Sequence, residues 1–171
     1  MILVKKIAVF SVWLFLLFFS LNSTTAAQTK AEVLTGDSLK RVVPTSFYFA
    51  GQSAETQVRN TAAAKIGENR YIIVGLVDTS GYSTEISGKY EGFFITDSPI
   101  KIGGKELGTG AYGFGFSKDE INIFDLSSKL ILSVSTTNDA EMKRPRPLMM
   151  TGDDKGGRIY KGKIYVVVSA K

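Results

Sequence analysis

The chain has 171 residues, with 21 Lys and Arg against 16 Asp and Glu, and it contains neither His nor Cys. Those two absences remove the imidazole base, the thiol nucleophile, every disulfide and the usual zinc and haem ligand sets. Acid–base chemistry is left to carboxylates, with Lys and Tyr as lesser options.

Lys5 and Lys6 open the chain, Ile7 to Leu21 runs without a charge, and Thr25-Ala26-Ala27 places small residues ahead of Gln28. This is the three-part layout of a secretory signal peptide, and the uncharged run is shorter than the roughly 20 residues of a spanning helix. The expectation is a leader over residues 1–27 and an exported mature chain, periplasmic or secreted, with no transmembrane segment of its own. That chain has about 144 residues, the size of one domain. Trp13, the lone Trp, belongs to the leader, and no Cys follows the apolar run to carry a lipid anchor.

Residues 28–44 read as a flexible or weakly structured start, and 45–171 as a single β domain. From Thr45 the dominant signal is period two, in short runs punctuated by Gly, Asp, Asn and Ser. Phe47 and Phe49 share a face. Residues 53–66 are ambiguous. Ala54, Val58, Ala62 and Ile66 fall at helical spacing, with Ser53 as a cap and Lys65 in the last turn. Thr61 to Ile66 also reads as a strand turning at Gly67-Glu68-Asn69. The favoured expectation is a short helix near 54–60 followed by that hairpin.

Arg70 to Asp78 is apolar on both faces, with Tyr71, Ile73 and Val77 on one and Ile72, Val74 and Leu76 on the other, the mark of a central strand covered twice. In the next strand Phe93 and Ile95 lie opposite Phe94. Gly103-Gly104 predicts a two-residue hairpin turn, because such turns need positive φ at their central positions. The implied register pairs Ile100 with Leu107, Lys101 with Glu106 and Ile102 with Lys105. Tyr112, Phe114 and Phe116 line one face of the following strand, with Ala111, Gly113 and Gly115 on the other.

Further along, Ile121 and Ile123 alternate with Asn122. Leu130, Leu132 and Val134 alternate with Ile131 and Ser133, and Ile164, Val166 and Val168 form a last amphipathic strand. About nine or ten locally connected strands predict an all-β antiparallel sandwich or barrel, largely meander-connected, with at most one or two short helices.

Several motifs match only in letters. Gly108-Thr109-Gly110-Ala111-Tyr112-Gly113 fits the dinucleotide fingerprint, but it runs on as a strand where a helix is required. Its glycines suit strand curvature or the close approach of another segment. Ser98-Pro99-Ile100-Lys101 has the S-x-x-K spacing, but Lys101 lies in a hairpin and the companion motifs are absent. Gly152-Asp153-Asp154-Lys155-Gly156-Gly157 has turn chemistry, with a Lys where a calcium loop needs a ligand.

Asp78 ends the doubly apolar strand and opens the hydroxyl-rich loop Thr79-Ser80-Gly81-Tyr82-Ser83-Thr84-Glu85. Asp78, Tyr82 and Glu85, together with Arg59 and Asn60, form the candidate polar-ligand set. Asp78 and Glu85 are also the one candidate catalytic pair; the plainer reading is a turn in which Asp78 bonds backbone amides.

Charge concentrates at the C-terminal end. Residues 142–171 carry eight basic side chains against Asp153 and Asp154. Lys143, Arg144, Arg146 and Lys161 are the candidate anion-binding set, their plainer reading being a solvated, proline-bounded connection. Nucleic acid is disfavoured, since it calls for exposed aromatics interleaved with the charge and only Tyr160 and Tyr165 lie near. No cofactor and no metal is expected.

The strings Gly51-Gln52-Ser53-Ala54, Arg59-Asn60, Leu76-Val77-Asp78-Thr79-Ser80-Gly81-Tyr82-Ser83, Gly110-Ala111-Tyr112-Gly113-Phe114-Gly115-Phe116, and Arg144-Pro145 with Pro147-Leu148 together resemble a group of uncharacterised small exported bacterial β-rich proteins. The resemblance spans Val43 to the C-terminus and implies export and a single domain. It carries over no activity, cofactor or site residue. The expected function is a non-enzymatic binding or interaction protein for a small-molecule or protein partner. The alternatives are a carboxylate-dependent hydrolase and a binder of anionic polymers through the basic C-terminal segment.

Overall fold

The computed structural model describes residues 31–66, 70–153 and 156–171; the expected leader and the Gly67-Glu68-Asn69 turn lie outside them. In chain order the described strands are β1 (Ala31–Val33), β2 (Ser46–Phe49), β3 (Gln52–Ile66), β4 (Tyr71–Val77), β5 (Gly92–Thr96), β6 (Ile100–Ile102) and β7 (Lys105–Leu107). They continue as β8 (Gly110–Phe116), β9 (Glu120–Phe124), β10 (Leu130–Ser135), β11 (Thr137–Asn138), β12 (Arg146–Asp153), β13 (Gly156–Gly162) and β14 (Ile164–Ala170). Two short helices join them, α1 (Gly36–Val42) and α2 (Thr84–Ser87). The weakly structured start thus contains β1, whose Ala31 is buried, and α1, none of whose residues is fully buried.

Two antiparallel sheets result. The larger runs β1-β3-β4-β5-β8-β9-β10 with β2 added on β3; the smaller runs β12-β13-β14-β6-β7 with β11 on β14. Neither closes on itself, so the sandwich alternative holds and the barrel does not. From β3 onward the larger sheet is a meander broken once, where the β6–β7 hairpin crosses to the other sheet and the chain returns to pair β8 with β5. Fourteen described strands exceed the expected nine or ten; β1 and β11, three and two residues long, are too short to carry a period-two signal.

The core between the sheets is mainly aliphatic. Ile72, Val74, Phe94, Ile100, Ile102, Phe114, Ile121 and Ile123 meet Leu148, Met150, Ile159, Val166 and Val168 there. A second core covers the outer face of the larger sheet. It is aromatic: Phe47, Phe49, Tyr82, Tyr90, Phe93 and Phe124, with Ala54 and Val77. β4 therefore buries side chains on both faces, in the grouping its sequence predicts, Leu76 with the inner core and Ile73 with the outer.

The helix expected near 54–60 is strand. Ser46↔Glu55 to Phe49↔Gln52 make β2 and the start of β3 a hairpin, while Thr61↔Gly75 to Lys65↔Tyr71 pair the rest of β3 with β4. Between them the register slips, and side chains hold the irregularity closed. Gln57 donates to the Val77 carbonyl at 2.9 Å, Asn60 to the Gln57 side-chain oxygen at 2.8 Å, and the Thr61 hydroxyl to the Val58 carbonyl at 2.9 Å. Helical spacing arises here because a bulge inserts unpaired residues and resets the period-two alternation. Val58, counted on the helix face, is 60% exposed.

The same effect moves Leu130, which sits before a register shift in β10 and is exposed while Val134 is buried. The β6–β7 hairpin has the predicted register, with Gly103 and Gly104 at φ +53° and +81°. Its Glu106, however, pairs with Lys171 at 2.9 Å, and that bond holds the carboxyl below its ordinary value.

Candidate functional site

The polar-ligand residues are distributed over turns already closed by their own bonds. Asp78 follows β4, donates its N–H to the Glu55 carbonyl at 2.9 Å and accepts the Ser80 N–H on its carboxylate at 3.0 Å. The Ser80 bonds hold this exposed carboxyl below its ordinary value. Tyr82 is buried, its hydroxyl donating to the Gln52 carbonyl at 3.0 Å and its ring edge-on to Tyr90; burial pushes the phenol up. It fastens the β2–β3 hairpin to the loop after β4. Glu85, exposed on α2, pairs with Lys89 at 3.6 Å. Arg59 is exposed and Asn60 bonded within the β3 bulge, which Gln57 ties to the end of β4. Asp78 and Glu85 line neither of the two clefts described below.

The anion-binding set is partly brought together. Lys143 and Arg144 are exposed in the connection before β12. Arg146, the first residue of β12, lies opposite Gly162 of β13. Arg146 and Lys161 then line one open groove of about 620 Å³ with Lys118, while Phe116, Pro145, Pro147 and Ile164 supply its apolar surface. The end of β8 and the turn into β9 form one wall; the start of β12 and the β13–β14 turn form the other. Ser117 fixes the first turn by donating its N–H to the Glu120 carbonyl at 2.9 Å, and Gly162 makes the second possible at φ +62°.

The groove's electrostatics are set by one carboxylate. Glu91, ahead of β5, pairs with Lys161 through one oxygen, and its other oxygen accepts the Phe116 N–H at 3.2 Å. That bridge joins the two sheets and holds the Lys161 ammonium 5.7 Å from the centre of the Phe116 ring. Lys118 and Arg146 have no acidic partner among the described residues. The alternation in β8 marks Phe116 as core-facing and Lys118 as a turn residue; nothing in their spacing links either to Arg146 or to Glu91.

A second cleft of about 620 Å³ opens beside the outer core, lined by Tyr48, Ala50, Gly51, Ile86, Leu126, Ser127 and Ser128. It has no charged lining. Ala50 and Ser128 have positive φ, +50° and +70°, and the Ala50 N–H donates to the Leu126 carbonyl at 2.8 Å. Asp125 organises the β9–β10 loop, accepting from the N–H and hydroxyl of Ser127 and the N–H of Lys129 at 2.6–3.0 Å.

Among the described residues no group of three or more Asp or Glu is arranged to hold a metal ion, and no helix is long and apolar enough to cross a membrane. No protein-family model matches this chain, and no curated protein or solved structure shows significant similarity to it.

Proposed function

We propose that the protein is an exported binding protein, not a catalyst, and that it holds an anionic ligand in the groove between the β8–β9 turn and the β12–β14 segment. The observation that carries this reading is the meeting of Lys118 and Arg146, which have no acidic partner among the described residues, with the apolar surface of Phe116, Pro147 and Ile164 in one groove. Pockets that combine apolar lining with a few placed polar groups are the usual form of ligand sites, and an Arg fork suits phosphate and carboxylate oxygens. The layout of residues 1–27 supports export.

The hydrolase alternative has less support. An acid and a base must both reach one substrate, whereas Asp78 is bonded to Ser80 and Glu85 faces Lys89 on an exposed helical turn. The test is an amide NMR titration of the chain from Gln28 with inorganic phosphate and with octyl phosphate. Shifts confined to Phe116–Lys118, Arg146 and Lys161–Ile164, and lost in the Lys118→Gln, Arg146→Gln double variant, are expected. Shifts elsewhere, or none with either anion, overturn the proposal.

A further inference from the structure

Charge counting and lining chemistry narrow the ligand further, on the footing that the groove is the ligand site. Lys161 is neutralised by Glu91, so the groove keeps two cations, Lys118 and Arg146, with no acidic partner among the described residues. Two such charges match one phosphate or carboxylate head. They do not make the row of cations that a polyanion needs to release its counterions along its length. Lys143 and Arg144, which would extend the row, lie outside the groove lining.

The rest of the surface is apolar. Phe116 and Ile164 are half-buried, and Pro145 and Pro147 have no N–H to offer a polar ligand. A fully solvated anion leaves that surface wet, whereas a ligand with a hydrocarbon portion removes it from water. Glu91 contributes by fixing the wall. Its two bonds hold the Lys161 stem and the Phe116 backbone together, so the apolar surface stands beside the cations before any ligand arrives.

We infer that the ligand is a monomeric anionic amphiphile, its single phosphate or carboxylate head seated on Lys118 and Arg146 and its hydrocarbon part lying along Phe116, Pro147 and Ile164. Lys161 and Glu91 are positioning residues in this arrangement.

Calorimetric titration of the folded chain from Gln28 distinguishes the outcomes. Each buried methylene strengthens binding about fourfold, so octyl phosphate below its micellar concentration is expected to bind more than tenfold tighter than inorganic phosphate. Octyl glucoside, with the same tail and no charge, is expected to bind at least tenfold weaker than octyl phosphate. Ile164→Ser should weaken octyl phosphate severalfold and leave inorganic phosphate unchanged, with amide signals outside the groove matching those of the parent certifying the fold. Equal affinity for inorganic and octyl phosphate, or tighter binding of heparin than of octyl phosphate, overturns the amphiphile while leaving an anion site in place. Binding to vesicles of phosphatidylglycerol in phosphatidylcholine without binding of monomeric octyl phosphate assigns the groove to a membrane surface and also overturns it. Binding of none of these probes removes the amphiphile and the anion site together.

Discussion

The two faces of the larger sheet are covered by different means. The inner face meets another sheet, side chain against side chain, mostly Ile, Val and Leu. The outer face is roofed by the chain's own β2–β3 hairpin and by the Tyr82–Tyr90 segment, and its contacts are rings: Phe49 stacks on Tyr90 with centroids 4.0 Å apart, and Phe47 on Phe93 at 5.2 Å. Sheet-on-sheet packing at roughly 10 Å leaves room for a side chain from each side. The roof comes closer, and the sheet makes room by having none. A Cβ on Gly113 would lie 2.2 Å from the Phe49 ring, and one on Gly115 would lie 2.0 Å from the Lys89 carbonyl oxygen. The inner core depends mainly on the period of the pattern, with close glycine contacts at Gly103 and Gly152; at Gly113 and Gly115 the roof depends on particular absent atoms.

Removing the ring is the strongest way to break the contrast. Phe49 is fully buried among Tyr82, Tyr90 and Phe124, so Phe49→Ala should cost about 3–5 kcal/mol. Hydrogen exchange should then quicken first in β2 and the first half of β3. Equal acceleration in β13 and β14 would show that the roof and the inner core open as one unit.

Gly113→Ala and Gly115→Ala approach the same contact from the sheet, each with an expected loss of about 3 kcal/mol on urea denaturation. They part company in the Phe49→Ala background. Gly113→Ala should then cost little, since the atoms it strikes are gone, whereas Gly115→Ala strikes backbone and should cost as much as before. The inner face supplies the control. Ile123→Val, at a fully buried position away from the Phe49 contact, should cost only about 0.5–1.5 kcal/mol in either background.

This contrast also explains what the sequence makes legible. The inner core could be read from alternation alone, and the β6–β7 hairpin down to its register, because a Gly-Gly turn and apolar alternation specify the same pairing. The glycines of β8 pointed to a close neighbour but could not name it, since Phe49 lies more than 60 residues earlier and reaches Gly113 only once the hairpin folds over. The β3 bulge was illegible for a different reason. Three side-chain bonds hold it, and the pattern they break mimics helical spacing. The groove was half legible: Arg146 and Lys161 stand out as charge, while Lys118, Phe116 and Glu91 join them only through tertiary structure.

A smaller effect tests how tightly the roof is sealed. Tyr90 is wholly buried and its hydroxyl has no hydrogen-bond partner among the described residues. Burial pushes that phenol far above its ordinary value, so it stays neutral wherever the protein is folded. Deleting an unsatisfied buried hydroxyl removes its desolvation cost, and Tyr90→Phe should therefore raise stability by about 1 kcal/mol. A loss of similar size would mean that the roof admits water to this hydroxyl.

The smallest effect lies at the rim, where the roof meets the β9–β10 loop through the Ala50–Leu126 bond. Asp125 holds that loop with its carboxylate, and the Ser127 and Lys129 bonds keep its pKa below the ordinary 3.8. The sign follows from linkage. The unfolded chain takes up the proton near the ordinary value, the folded chain only at lower pH. The carboxylate's contribution is thus complete above the ordinary value and declines as pH falls below it towards the depressed one. Asp125→Asn keeps the side-chain shape but does not titrate. The amide signals of Ser127 and Lys129 should shift on acidification below pH 4 in the parent protein and stay constant in this variant. The inner-core residues Val166 and Val168 of β14 should be unmoved over the same range. If they shift together with the loop, the rim is coupled to the inner core and the two faces do not respond separately.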